Sequence, residues 1–311
     1  MSRRLPLFVR KTLKDSSSPK LLLAFLIPYY GLAVLLAYGL SETAPDDLGS
    51  ATLFTQEQVL IELYSQLAFV WLVAFPMVFV AVLVGITVAG EFQRGTFRIL
   101  LSKPIGRWEP LLGKYVGVIL FGWLVTLSGV LVGAVALYAA SGASSLAIGN
   151  SIVTLLPGLL VYALFVTVCI ASVALGFAVL TTSRLQTVLA TALVPVLFFA
   201  FIFVRLLPAG DIYEQFHLYA IDINYHFGNV YVAINDVLGI EHNPASQRSL
   251  ATVSGVFDSG GAWEDPLVGG IVGAVPLAGY VPLALSFGIV VVLSLAIVIG
   301  GVYQFERMDI S

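Results

Sequence analysis

Charge is what this sequence has least of. Asp, Glu, Lys and Arg make up 11% of its 311 residues, against about a quarter in an ordinary soluble domain. So few charges cannot clothe a water-facing surface, which excludes a cytosolic globular enzyme and a disordered chain. A net charge of −3 leaves no basic footprint for a polyanion, so no nucleic acid is expected as a partner. Cysteine is absent except for Cys169, set in an apolar run; that excludes a disulfide framework and a thiolate metal cluster. Patterns for catalysis are missing too. The nearest approach to G-x-x-x-x-G-K-[ST] is Gly106 with Gly113-Lys114, but six residues separate the glycines and Tyr115 replaces the Ser or Thr. Hydrolysis of ATP by this chain alone is therefore not expected. His217, His226 and His242 form no H-E-x-x-H, and no G-x-S-x-G elbow with a suitable His and acid is present.

Apolar residues, in contrast, reach 59%. A membrane helix needs about 20 mainly apolar residues to cross a core of roughly 30 Å. Six such runs occur, at Leu21–Leu40, Ser65–Ala89, Leu111–Ala139, Ile152–Thr181, Gln186–Leu207 and Val281–Tyr303. Pro266–Tyr280 is also apolar but is broken by Gly269, Gly270, Gly273, Pro276 and Gly279. That pattern predicts an outer segment that dips in and returns, buried against protein. No span has an ionisable residue at its middle, where ion-coupled transporters usually bind the driving ion. The uncharged lining points instead to an apolar or amphipathic cargo.

Basic residues set the orientation. Arg3, Arg4, Arg10, Lys11, Lys14 and Lys20 precede the first span; Arg94, Arg98, Lys103, Arg107 and Lys114 lie between the second and third. With Arg184 and Arg307, thirteen of the fifteen fall on alternating connections, which predicts both termini in the cytoplasm. The first outer connection is acidic, and the one after the fifth span holds eight acids against Arg205 and Arg248. Arg3-Arg4 resembles an export signal only superficially, because the apolar core lies too far downstream and is long enough to span. At the N-terminus Leu5, Phe8, Val9 and Leu13 share one helical arc and Arg3, Arg10, Lys11 and Lys14 the opposite one, the pattern of an interfacial helix.

The cytoplasmic connection at 90–109 is the one dense constellation. Arg94, Arg98 and Ser102 recur every fourth residue as a polar stripe beside an apolar arc of Phe97, Leu100 and Leu101, and Pro104 and Gly106 stop the helix. A short amphipathic helix between two spans is suited to being gripped by a soluble partner, its apolar side in a groove and its arginines on acids or lipid phosphates. Gly90, Glu91, Gly95, Thr96, Phe97, Leu100, Leu101, Ser102, Pro104, Arg107 and Glu109 fall in register with a pattern close to G-E-x-x-x-G-T-[LF]-x-x-L-L-S-x-P-[IV]-x-R-x-E. The segment resembles the signature of export-type ABC transporter permeases of the class-two family. The chain end, Tyr303-Gln304-Phe305-Glu306-Arg307-Met308-Asp309-Ile310, is similar to that family's closing motif.

The resemblance implies an all-α polytopic membrane protein, six transmembrane helices with both termini inside, an N-terminal amphipathic interfacial helix and a re-entrant outer segment. Residues 1–311 would form one permease domain in the plasma membrane, with a cytoplasmic helix at 1–20, a coupling segment at 90–109 and an extracytoplasmic connection at 208–280. It implies docking of a separate cytoplasmic ABC ATPase, in two copies, on Glu91, Arg94, Gly95, Thr96, Phe97, Arg98, Leu100, Leu101, Ser102, Pro104 and Arg107. A second permease copy would complete the pathway in the bilayer, and ATP and Mg would be bound by the ATPase, with no cofactor, metal or catalytic residue in this chain. Two other readings remain open here: an ion-coupled secondary transporter, and a membrane assembly or scaffold subunit without transport. The outer connection is longer than the family's simplest form, and Tyr213, Phe216, Tyr219, Tyr225, Phe227 and Tyr231 predict that it is folded.

Overall fold

A computed structural model describes residues 5–45, 48–102, 106, 108–206, 210–258, 264–265, 270–271 and 275–308. Among these, six helices are long and apolar enough to cross a membrane: Pro19–Ser41, Leu53–Gln93, Trp108–Ser141, Ser145–Thr181, Arg184–Arg205 and Leu283–Arg307. They coincide with the six predicted spans, with shifted ends.

The chain begins with α1 (Leu5–Ser16), and Ser17 and Ser18 separate it from the first span, α2 (Pro19–Ser41). Leu5, Phe8, Val9, Thr12 and Leu13 face the protein while Leu7 is 64% exposed, as the helical arc requires. The inward face rests on the third span. A Cβ at Gly113 would lie 2.4 Å from Phe8 Cβ, and one at Gly117 2.7 Å from Thr12 Cβ. Two glycines one turn apart thus let α1 approach the span backbone.

The second span is three pieces. After α3 (Leu53–Gln66) the helix widens into a π turn at Leu67–Leu72, restarts as α4 (Pro76–Val84), widens again at Gly85–Ala89 and ends as α5 (Gly90–Gln93). Pro76 has no N–H, so the Leu72 carbonyl loses its usual helical donor. Tyr29 of α2 supplies one: its hydroxyl donates to Leu72 O at 2.6 Å. The tyrosine fits because Gly129 beneath it has no side chain; a Cβ there would lie 2.0 Å from the Tyr29 oxygen.

The third span is α7 (Trp108–Ser141), preceded by α6 (Thr96–Leu101) and followed by α8 (Ser145–Asn150), which leads into α9 (Ile152–Thr181). Thr182, with φ +51°, turns the chain into α10 (Arg184–Leu206). The connection before the last span is folded, as its aromatics predict: α11 (Gly210–Gln215), α12 (Ile223–Val237) and α13 (Pro244–Ser254). Tyr213, Tyr225, Phe227 and Tyr231 are buried, and Tyr219 stacks on Tyr280 with ring centres 4.7 Å apart, while Phe216 stays exposed.

The helix that packs among the spans is α12, against α9, α10 and α14 (Leu283–Arg307). Much of the predicted returning segment, Pro266–Tyr280, lies outside the described residues. Of its neighbourhood, β1 (Glu264–Asp265) pairs antiparallel with β2 (Gly270–Ile271), and Val256–Asp258 bonds to Pro276–Ala278. Arg205, in the last turn of α10, anchors this end. Its guanidinium donates to Asp222, to Asn224 Oδ1 at 3.1 Å and to the Val253 carbonyl at 2.7 Å. Asp222 also caps α12, accepting from Tyr225 N at 3.0 Å.

Candidate coupling site

At the basic end of the bundle the second span turns into α6 through a single glycine. Arg94 N bonds to Gly90 O, and Gly95 N to Phe92 O at 3.1 Å, closing α5. Gly95 then adopts φ +68°, the left-handed region that costs glycine little and other residues more. That accounts for the glycine before Thr96: it lets six residues of helix leave at a new angle. Gly90 is constrained from the other side, since a Cβ there would lie 2.6 Å from Arg184 Nε.

Glu91 faces inward. It is 7% exposed, and its Oε1 lies 2.8 Å from Lys114 Nζ and 3.2 Å from Lys11 Nζ. Lys114, counted in the sequence as part of the connection, sits inside α7 at 2% exposure and also donates to Thr87 O at 2.8 Å. One carboxylate therefore ties α1, the second span and the third. An unpaired ammonium in such a place is costly; a carboxylate and a carbonyl against it offset that cost.

Phe97 faces inward as well. Its ring lies 4.6 Å from Phe92 and 5.2 Å from Phe305, the latter edge-on, and Phe92 meets Phe305 edge-on at 5.5 Å. The two stretches that carry the family resemblance, far apart in sequence, thus share one aromatic cluster. The expected apolar arc divides accordingly. Phe97 is buried within the chain against Phe92 and Phe305, and Leu100 is partly buried against the core. Ile99, which the helical stripe did not include, is 70% exposed, and Arg94 is exposed beside it.

Gly95 and Thr96 are half-buried at the turn, and Ser102 donates its hydroxyl to Ile99 O at 2.8 Å, closing α6. Arg98 and Leu101 belong to α6. Pro104 and Arg107 lie outside the described residues. Sequence reading missed Lys114, Lys11 and Arg184 as partners of this segment. A signal for Lys114 existed: it is a lone cation in an apolar run, between Gly113 and Gly117.

The histidines have local partners. His226 bonds to Ser286 Oγ at 3.0 Å, and His217 to Tyr219. Asn235 donates to His242 Nε2 at 3.1 Å, and burial pulls the His242 imidazole down to about 4.

A family model described as ABC-2 family transporter protein matches residues 10–310. This chain belongs to that family: it is the membrane permease of an ABC transporter, a multi-pass membrane protein. The family is a transport membrane subunit and not itself an ATPase, and its members associate with an ABC ATPase in the bilayer. No curated protein matches the chain.

Proposed function

We propose that this permease moves its substrate outward across the plasma membrane, driven by a separate ATPase that docks on α5 and α6. Two permease copies and two ATPase copies would form the transporter, with both termini and α1 on the cytoplasmic side. The reading rests on the convergence of Glu91, Phe97 and Phe305 at the basic end. Their contacts brace α6 from within, through an ion cluster and an aromatic cluster, and leave Arg94 and Ile99 facing out. A braced knob transmits displacement, because its base is packed into the second and third spans; an unbraced loop would absorb it.

In this mechanism the ATPases close on ATP and push α6. The Gly95 turn and the Glu91 cluster pass the movement to α5, α1 and α7, and access switches at the interface between permeases. The chain itself needs no cofactor; ATP and Mg act in the partner. Replacing Arg94 and Arg98 by Glu reverses charge along the segment and leaves Glu91, Phe97 and Phe305 unchanged. The expected result is a normally inserted, monodisperse protein that no longer co-purifies with its ATPase. Full binding and full substrate-stimulated ATP turnover in that variant would refute the docking assignment.

A further inference from the structure

The flank of the bundle away from the coupling segment holds a cavity of about 720 Å³ between α9, the end of α12 and the start of α14. Its volume falls within the usual range for small-molecule sites, roughly 300–1,000 Å³. Leu164, Phe165, Ile234, Val237 and Phe287 make it almost wholly apolar. Asp236 is the single charged residue among its described lining. Among the described residues no cation and no hydrogen-bond donor is found on that carboxylate, and partial burial holds its carboxyl above the usual carboxylate range. A second cavity, of about 320 Å³, shares Asp236 and adds Glu241 and the neutral His242, with no lysine or arginine among the described lining residues. Among the described lining residues of the two cavities the ionised groups are therefore carboxylates.

We propose that this cavity binds a lipophilic organic cation, with its hydrocarbon body against Phe165, Ile234 and Phe287 and its charge at Asp236. Three features fit that occupant together. The walls repay an apolar body by removing it from water. The lone carboxylate at the mouth, exposed on one side, offers a counter-charge beside the apolar walls. The flank position lets an amphiphile enter sideways from the bilayer, where apolar cations concentrate. An anion of the same shape finds the same walls but meets the Asp236 carboxylate, a repulsion that discriminates by sign. The site lies within one chain, and its occupancy does not depend on the transport reading.

The test is equilibrium binding of radiolabelled tetraphenylphosphonium to the purified full-length permease in detergent, with tetraphenylborate as the isosteric anion. Because the two ions partition differently, each is compared with itself across variants. Wild type should bind the phosphonium saturably. Asp236→Asn, isosteric and at a cavity mouth, should weaken it about tenfold while leaving tetraphenylborate unchanged or tighter. Asp236→Glu should restore phosphonium binding. Ala284→Trp, from the cavity wall, should abolish saturable binding of both while the protein stays monodisperse. Unchanged phosphonium affinity in Asp236→Asn, an equal loss for both ions in that variant, or retained binding in a monodisperse Ala284→Trp would each overturn the proposal. So would a tightly held phospholipid that the phosphonium does not displace.

Discussion

Replacing Glu91 by Gln removes the carboxylate from a cluster in which the two lysines are not equivalent. Lys114 is 2% exposed and keeps its bond to Thr87 O and its place over the Phe97 ring but no paired counter-charge among the described residues, whereas the Lys11 side chain is about half exposed and can turn to water. Breaking a buried ion pair by removing one partner costs about 3–5 kcal/mol, because the remaining charge is left uncompensated. A surface pair is worth about 0–1 kcal/mol. Glu91→Gln should therefore lower the unfolding free energy, measured by detergent titration with SDS and read by tryptophan fluorescence, by about 3 kcal/mol. Lys11→Met should lower it by less than about 1 kcal/mol. Glu91→Gln combined with Lys114→Met should be more stable than Glu91→Gln alone, since the stranded charge has gone; the double-mutant cycle isolates that coupling. Two results would refute this reasoning: Lys11→Met costing as much as Glu91→Gln, or the double variant being no better than the single one.

Two further outcomes follow from other contacts. Tyr29→Phe strands the Leu72 carbonyl and should cost about 1–3 kcal/mol in the same titration; adding Pro76→Ala returns a backbone N–H to that carbonyl and should recover part of the loss. Burial holds His242 near 4 against an ordinary 6.5, so the unfolded chain binds the extra proton first as pH falls. Stability should be full above pH 6.5 and decline toward pH 4, by up to about 3 kcal/mol, and His242→Gln should flatten that slope in thermal melts recorded across the range.

The spans were legible because lipid imposes a length and a composition on every crossing helix, and all six satisfy both. Their ends were less so. Leu53–Gln66 carries Gln56, Glu57, Gln58 and Glu62, which read as a connection, yet it continues the second span. Its polar side chains are used by other elements: Gln58 accepts from Asn243 beside α13, and Gln56 Oε1 accepts from Ser144 N. Such partners lie far along the chain, so no local pattern announces them. The expected stripe of Arg94, Arg98 and Ser102 is broken, since Arg94 closes α5 and the Gly95 turn separates it from α6; the segment at 90–109 was legible as a motif with a short helix. Which of its residues face inward was not, because Phe97 answers to Phe305 and Glu91 to Lys114, contacts that exist only after the spans have packed. The place of α12 was hidden in the same way, its buried Asn224, His226 and Asn229 being polar in composition but satisfied by α10 and α14.

Each of the two widened turns in the second span inserts one residue more than an α-helix would hold, and one residue is about 100° of rotation. The azimuth of the span near Tyr29 and its azimuth near Glu91 are thus set separately, like two keys on a shaft with slip joints between them. Removing one residue from 67–72 or from 85–89 would re-phase one end against the other without shortening the crossing by more than about 1.5 Å. A torque applied at the knob need not arrive at the far end as the same torque.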